Sequence, residues 1–395
     1  MNRSAAGVLV IGALALGGWF TERRAVVRAR AEARAEASHE AAVRAADITF
    51  FEARAARDPY SAGDRSRLGS LLLSRARATG RYEDLVAAER VARASVALRR
   101  GRNRGGALVL TNALMGQHRF REALVEAEQL EQEDAADLTI TSLCGEILLE
   151  LGRYEDARQR FARIGITTNL AAQMRLARWR EVTGDVEGAR QLLLDARSRA
   201  VGAFGLSREQ RAWFELRVAE FALRYGHLGE ADEALARGFA IAPEDYRLHA
   251  VAAKAALSRR QWDDAAEHAG RSLDAHFDPA ALALLAQAER GRGDSAAARA
   301  AVDAMVSSVQ AQPGAWHRAW SLALLDEGRA VDAVLAQARQ DLAERQDVYA
   351  WDLYAWALHR TGDDAGARTA MSHALATGIR DPLLLSHARV IQATQ

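Results

Sequence analysis

Residues 139–164 read TITSLCGEILLELGRYEDARQRFARI, and they predict two helices joined by a tight turn. Apolar residues recur at helical spacing along the first half of this stretch: Leu143, Cys144, Ile147, Leu148 and Leu151. Gly152 ends the first helix, since glycine adopts a left-handed backbone conformation at little cost. Gly145 and Ala157 are small enough to let the two helix backbones approach closely, and Phe161 is expected to fill the groove toward the next helix.

The same turn recurs along the chain, with a turn residue, usually glycine, followed five positions later by an alanine. The nine turns are GRYEDL from Gly80, HRFREA from His118, GRYEDA from Gly152, GDVEGA from Gly184, GHLGEA from Gly226, RQWDDA from Arg260, GDSAAA from Gly293, GRAVDA from Gly328 and GDDAGA from Gly362. The landmark positions 85, 123, 157, 189, 231, 265, 298, 333 and 367 are separated by 38, 34, 32, 42, 34, 33, 35 and 34 residues. This regularity predicts one elongated helical array instead of several compact domains.

These motifs resemble those of tetratricopeptide-repeat proteins, over about 330 residues of the chain. The resemblance implies an all-α fold: an α-solenoid, wound as a right-handed superhelix, of about nine tetratricopeptide helix-turn-helix repeats. Small residues occupy the eighth position of most repeats: Gly145, Ala177, Ala219, Ala253, Ala286, Ser321 and Ala355. Leu85 departs from the alanine rule, and the second-helix aromatic residue represented by Phe161 is mostly replaced elsewhere.

The resemblance also implies a function. First helices of tetratricopeptide repeats line a concave groove that holds a peptide segment or a helix of a partner protein, and such grooves bind without catalysing. The ninth repeat position is expected to face this groove, and it supplies the predicted partner-binding residues: Asn112, Glu146, Arg178, Glu220, Lys254, Gln287 and Trp356. A solvated helix face would have the same polar pattern, so both interpretations stay open. The family's carboxylate clamp needs lysine and asparagine in adjacent repeats, and only Asn112 matches it.

The N-terminus predicts membrane targeting. Residues 5–20, AAGVLVIGALALGGWF, carry no charge, so residues 1–21 are interpreted as a membrane anchor or signal segment. Cleavage after Ala13-Leu14-Ala15 would make the protein exported and periplasmic. The arginines at positions 23, 24, 28 and 30 instead favour an uncleaved anchor with the repeats in the cytoplasm, because positive charge after an apolar segment resists translocation.

Two further regions follow the anchor. Residues 22–46 are rich in Ala, Arg and Glu and predict a charged helical stalk. Residues 47–395 are expected to form the solenoid, closed by a C-terminal capping helix whose polar outer face would consist of Ser386, His387, Arg389 and Gln392. The charge is divided along the chain: residues 1–104 carry 20 Arg against 11 acidic residues, and the remainder carries 33 basic against 41 acidic residues.

No arrangement of residues predicts chemistry. The ten histidines form no HExxH pair, no phosphate-binding loop precedes Lys254, and Cys144 lies on an apolar helix face where inert packing is expected. We therefore expect no enzyme activity, no cofactor, no metal, no nucleic acid and no small-molecule substrate. The predicted function is a membrane-anchored protein–protein interaction scaffold. The alternatives are an exported periplasmic or cell-envelope assembly factor and a regulatory accessory subunit of a separate enzyme.

Overall fold

A computed structural model describes residues 4–165, 167–311 and 316–393, with the side chains of residues 4–27 and 30 outside the description. Within this part the chain forms 20 α-helices and no strand. The helices are α1 Ser4–Arg57, α2 Ala62–Thr79, α3 Tyr82–Leu98, α4 Arg104–Gly116, α5 Phe120–Glu133, α6 Leu138–Glu150, α7 Tyr154–Ala162, α8 Leu170–Val182, α9 Val186–Val201, α10 Arg208–Arg224, α11 Leu228–Ile241, α12 Tyr246–Ser258, α13 Trp262–Ala275, α14 Pro279–Arg292, α15 Ser295–Gln310, α16 Arg318–Asp326, α17 Val331–Glu344, α18 Val348–Arg360, α19 Asp364–Leu375 and α20 Pro382–Ala393.

Helices α2 to α19 pack in sequence as helical hairpins, nine of them within the described residues. We number these hairpins as repeats 1 to 9, from α2–α3 to α18–α19. Each hairpin stacks on the next, the C-terminal end of α1 packs against α2, and α20 packs against repeat 9. The prediction of an all-α solenoid of helical repeats is confirmed.

Each hairpin turn needs one residue with a left-handed backbone. Glycine supplies it at most turns, as at Gly152 with φ of 74°. His118 and Arg260 adopt the same conformation, with φ of 59° and 57°, where the sequence has no glycine. The following helices begin two residues later, at Phe120 and Trp262. The turn geometry is therefore conserved between repeats even where its usual residue is missing.

A buried alanine lies in the first turn of most second helices, where the two helices of a hairpin meet. The landmark alanines that the structure buries are Ala123, Ala157, Ala189, Ala231, Ala265, Ala298 and Ala367. Ala333 departs from this pattern, because it is exposed and Val334 is buried in its place. The reason is a turn longer by one residue: Ala330 takes a left-handed backbone, and α17 begins only at Val331.

Phe161 joins repeats 3 and 4. Its ring stacks on Trp179 of α8, with ring centres 5.4 Å apart and planes at 19°. A Cβ atom placed on Gly145 would lie 2.9 Å from the same ring. Because both faces of this aromatic ring are occupied, the absence of a side chain at Gly145 is a packing requirement.

The capping helix α20 differs from its prediction at one residue. His387 was expected on the polar outer face, but it is buried and points into the last repeat. Its ring stacks on Trp356 with centres 4.4 Å apart, and its Nδ1 lies 2.8 Å from an oxygen of Asp352. The histidine is held inside because Asp352, which is fully buried, needs polar partners.

One long helix, α1, covers both the predicted stalk and the predicted beginning of the solenoid. Ala33 and Ile48 are buried, and Arg34 and Glu36 form ion pairs with Glu244 and Arg208. The side chains of residues 5–20, the predicted anchor, lie outside the described residues. Among the residues that could be searched, no helix is long and apolar enough to cross a membrane.

Overlapping turns of the superhelix touch along a continuous line, which we call the seam. The turn of each of repeats 1 to 4 lies against the loop that follows repeats 6 to 9, respectively. The four seam contacts pair Gly80 with His276, His118 with His317, Gly152 with Gln346, and Gly184 with Gly378. The constant offset means that the solenoid closes on itself after between five and six repeats.

Gly145→Ala is expected to lower the free energy of unfolding by about 1–3 kcal/mol, because the added methyl group must displace the packed ring of Phe161. The matched control is Gly270→Ala in the middle of α13, where nothing lies within 4 Å of an added Cβ atom. That control should gain about 0.5–1 kcal/mol from helix propensity. Urea unfolding of both variants measures the difference, and a stabilised Gly145→Ala would contradict this packing.

Candidate functional site

The seam is held by backbone and side-chain hydrogen bonds between residues far apart in sequence. At repeat 3, the Val348 amide donates to the Tyr154 hydroxyl at 2.6 Å, and the Gln346 amide donates to the Leu151 carbonyl at 3.3 Å. At repeat 4, the Thr377 hydroxyl donates to the Val182 carbonyl at 2.7 Å. These bonds connect the first superhelical turn to the second.

Arginine reinforces the seam at repeat 2. Arg121 donates to the carbonyl oxygens of Ala343 and Glu344 at 2.6 and 3.2 Å, which are acceptors at the C-terminal end of α17. Cations at a helix C-terminus complement the partial negative charge of its free carbonyl groups. Arg121 therefore caps a helix that belongs to a repeat six positions away.

A cleft of about 430 Å³ opens where repeats 2 and 8 meet. Its walls carry four aromatic or imidazole side chains, those of His118, Phe120, Trp316 and His317. Four arginines and three carboxylates also line it: Arg119, Arg121, Arg318, Arg345, Glu122, Asp341 and Glu344. Since both charge signs are present and mostly paired, the cleft has no net preference for an anion or a cation.

Behind the seam, charged side chains of the first helices face the interior of the superhelix. Arg178 donates to Glu150 at 2.7 Å, and its guanidinium lies 5.7 Å from the centre of the Tyr349 ring. Burial pushes the pKa of Glu150 upward, but Arg178 and Arg345 outweigh burial and hold that pKa below its usual range. Glu150 in turn raises the pKa of Arg178. This ion pair therefore stays charged.

Asp347 differs from Glu150, because its surroundings raise the pKa of its carboxyl group instead of lowering it. It begins α18, where its Oδ1 accepts hydrogen bonds from the amides of Tyr349 and Ala350 at 2.9 and 3.1 Å. Its Oδ2 is buried without a hydrogen-bond partner among the described residues. Burial raises the pKa of Asp347, against the pull of Arg345 and with a further contribution from the charge of Glu150.

A second interior cluster connects repeats 4 and 5 to the end of the chain. Glu181 accepts hydrogen bonds from Arg224 and, at 3.4 Å, from the Tyr225 hydroxyl. Arg224 also lies 3.7 Å from Asp381, the residue that caps α20. Burial is the main cause that raises the pKa of Tyr225. The last helix is thus tied electrostatically to the middle of the solenoid.

The seven predicted groove residues fall into two sets. Three are exposed: Asn112, Lys254 and Gln287. Of these, Asn112 donates a hydrogen bond to the Leu108 carbonyl of its own helix at 2.7 Å. The other four are less exposed and interact with other side chains of the protein. Glu146 accepts from Arg175 at 2.7 Å, Glu220 accepts from Arg217 at 2.5 Å, and Arg178 pairs with Glu150. Trp356 is 9% exposed and donates to Asp326 at 3.3 Å.

Sequence reasoning missed the seam and its ion pairs. The sequence pattern did not single out Glu150, Tyr154 or Tyr349, because the seam joins distant segments: Tyr154 and Val348 are 194 positions apart. The residues Tyr154 and Glu150 carry no local signal that separates them from equivalent residues in other repeats. These contacts could have been indicated only by comparing each repeat turn with the loop that follows the fifth repeat after it.

No group of three or more metal-ligating side chains comes together in the described part of the chain. Cys144 is a free thiol with no exposed surface, and burial raises its pKa to about 12. A thiol in this state is a poor nucleophile at neutral pH, which fits a packing role.

Comparison with known proteins agrees with this geometry. A family model described as tetratricopeptide repeat matches residues 114–168, which run from the end of α4 through α5, α6 and α7. No curated protein matches the chain. The structure of the human IFIT1 dimer with PPP-AAAA is similar at 11% identity and a TM-score of 0.52, covering 81% of this chain and 73% of IFIT1. At that identity the likeness shows the fold alone.

Two further solved structures are similar at lower TM-scores. The Cut9–Hcn1 hetero-tetramer of the APC/C shares 13% identity over 83% of this chain, with a TM-score of 0.49, and the match spans only 63% of that chain. The C-terminal part of a TPR repeat-containing protein from Cytophaga hutchinsonii shares 12% identity over 70% of this chain and 97% of its own, with a TM-score of 0.37.

The fold defines the class of the protein: an all-α solenoid built from stacked helical hairpins. The repeated turn, the buried alanine beside it and the matching family model identify the hairpins. The family model assigns residues 114–168 to tetratricopeptide repeats, and the other hairpins of the solenoid repeat the same architecture. This fold suggests a protein–protein interaction scaffold.

Gly152→Ala is expected to open the seam at repeat 3, because an added Cβ atom would lie 2.3 Å from the carbonyl oxygen of Gln346. The control is Gly362→Ala, at the equivalent turn of repeat 9, where φ is also positive and nothing lies within 4 Å. Both variants should lose about 1–2 kcal/mol through backbone strain. Only Gly152→Ala should also increase the radius of gyration measured by small-angle X-ray scattering, and an equal radius for both would contradict the seam.

Glu150→Gln is expected to destabilise the protein at pH 7, whereas Asp347→Asn is expected not to. Glu150 has a lowered pKa, so its stabilisation is present above the ordinary carboxyl pKa of about 4.3 and is lost as pH falls. Its removal should cost about 1–3 kcal/mol at pH 7 and less in acid.

Asp347 has a raised pKa, so its neutral form is the one that folding favours, and this contribution is lost as pH rises. The Asp347→Asn variant imitates that form and keeps the helix-capping oxygen, so its stability at pH 7 should equal or exceed that of the wild type. Urea unfolding at neutral and acid pH measures both effects. Losses of the same size in the two variants would contradict these assignments.

Proposed function

We propose that this chain is a non-enzymatic scaffold that binds segments of partner proteins on the concave surface of its repeats. The single observation that carries the proposal is the exposed polar set Asn112, Lys254 and Gln287, all on first helices. The amides of asparagine and glutamine can pair with a peptide backbone in both directions. The lysine ammonium can attract a carboxylate of the bound segment.

The seam supports one continuous binding region. Asn112 belongs to repeat 2, and Lys254 and Gln287 belong to repeats 6 and 7. The turn of repeat 2 meets the loop after repeat 7, where the rings of His118 and His317 are 5.0 Å apart. We therefore propose that a partner segment contacts both superhelical turns on this side, while Glu146, Arg178, Glu220 and Trp356 stabilise the solenoid around it.

We infer membrane attachment through residues 5–20 from their uncharged sequence and the arginines that follow. Separation of cell membranes from soluble fractions, followed by protease treatment of intact and opened membrane vesicles, tests this proposal. If the protease treatment places the solenoid on the side of the membrane away from the cytoplasm, the result would support the exported alternative. Catalytic turnover by the pure full-length protein would contradict the scaffold proposal itself.

Lys254→Ala and Gln287→Ala are each expected to weaken peptide binding about five- to tenfold, which corresponds to about 1–1.4 kcal/mol. The probe is a peptide selected by the full-length protein from a random phage-displayed library, and fluorescence anisotropy measures its dissociation constant. Both side chains are exposed, so the melting temperature should stay unchanged.

Two controls accompany this measurement. Lys254→Arg keeps the positive charge and should retain most of the affinity. Arg339→Ala changes an exposed residue in the second helix α17 and should leave binding unchanged. Wild-type affinity in both Lys254→Ala and Gln287→Ala would place peptide binding on another surface.

A further inference from the structure

The superhelix has two edges, one formed by the turns inside the repeats and one by the loops between repeats. The seam uses only part of each edge. Turns of repeats 1 to 4 and loops after repeats 6 to 9 pair within the chain. In the described residues, the turns of repeats 5 to 9 have no such loop against them, and we call them the free turn edge. The described residues of the loops before repeats 1 to 5 form the free loop edge: 58–61, 99–103, 134–137, 163–165 with 167–169, and 202–207.

One free edge consists of repeat turns and the other of loops between repeats, and turns already pair with loops in the seam. A second copy of the chain, stacked on the first along the superhelix axis, would bring its free loop edge onto the free turn edge. The contact would continue an interface that the molecule already contains. Such a head-to-tail contact is heterologous, so it leaves one free edge at each end of every assembly.

The repeat register predicts which parts would meet. Within the chain, the turn of one repeat contacts the loop that follows the fifth repeat after it. Suppose α20 of one copy and the C-terminal end of α1 of the next copy together fill one repeat position. The same offset then sets the turn of repeat 6 against the α3–α4 loop, residues 99–103, of the next copy.

The two surfaces selected by this register are chemically complementary. The turn of repeat 6 carries Trp262, Asp263 and Asp264 beside an open cleft of about 580 Å³. The α3–α4 loop carries Arg99, Arg100 and Arg102, all exposed and without a side-chain ion pair among the described residues. Arginine pairs with carboxylates and stacks on tryptophan faces, so this loop suits the turn.

Arg260 and Arg292 also line the cleft, so its two arginines balance its two aspartates, and Arg292 pairs with Asp263 at 2.9 Å. Asp264 and the Trp262 ring are therefore the groups that an incoming arginine can bind. Asp264 has no ion pair among the described residues. Along the whole free turn edge, acidic residues outnumber arginines, and residues 1–104 carry the chain's positive excess. The molecule therefore has a basic end and an acidic edge, which favours head-to-tail over head-to-head contact.

We propose that a second copy of this chain docks head to tail, with the basic α3–α4 loop of one copy against the Trp262–Asp264 turn of the next. The contact depends on charge, so it weakens as salt rises. It lies outside the concave surface, and it requires neither Lys254 nor Gln287.

Multi-angle light scattering of the full-length protein tests this proposal, with a mild detergent present to cover residues 5–20. At about 50 mM salt the mass should rise with protein concentration, and at about 500 mM salt it should return to that of one chain. Arg99→Glu with Arg100→Glu should weaken association at least tenfold, and so should Asp263→Arg with Asp264→Arg.

A mixture of the two double variants is the decisive measurement. Each variant alone presents two surfaces of like charge, but the mixture restores an acidic surface opposite a basic one, so association should return. Arg299→Glu with Arg339→Glu, on exposed residues of α15 and α17, makes the same charge change away from both edges and should associate like the wild type.

Circular dichroism confirms that each variant is folded before the masses are compared. A wild type that stays a single chain at low salt overturns the proposal, and so does a mixture that fails to associate. Association that ignores both salt and the charge reversals also overturns it, since that result would assign self-contact to residues 5–20 or to another apolar surface.

Discussion

The close approach of two helices at a buried small residue is the constraint on which the rest of this structure depends. Ala157 has no exposed surface, and Gly145 leaves room for the ring of Phe161. Because the same contact recurs in successive hairpins, each repeat adds a similar rotation to the stack. Summed over five to six repeats, that rotation brings distant turns and loops together.

The seam changes how the concave surface of this solenoid should be understood. A solenoid with separated turns would expose its whole row of ninth-position residues to a partner. Here Glu150, Arg178 and Tyr349 form interior contacts between turns, so part of the row stabilises the superhelix. Within this row Lys254 and Gln287 are exposed, whereas Arg178 is paired with Glu150.

Charge has two separate roles in the molecule. Inside, carboxylates such as Glu150 and Glu181 are matched by arginines, which offsets the cost of removing them from water. Outside, Arg99, Arg100, Arg102 and Asp264 are exposed and have no side-chain ion pair among the described residues, although Asp263 pairs with Arg292. Interior charges fix the winding of the repeats, and exposed charges are available for contacts between molecules.

The sequence by itself determined the helices, their turns and the repeat packing, because these depend on residues close together in the chain. Gly152 ends a helix and Ala157 is buried for local reasons that recur every repeat. The departure at Ala333 is local too, since one extra turn residue moves Val334 into the buried position. Only the tertiary structure decided which of the predicted groove residues are exposed and which interact with other side chains of the protein. The Tyr154–Val348 bond joins residues 194 positions apart, and it depends on small rotations accumulated over many repeats, which no short sequence pattern encodes.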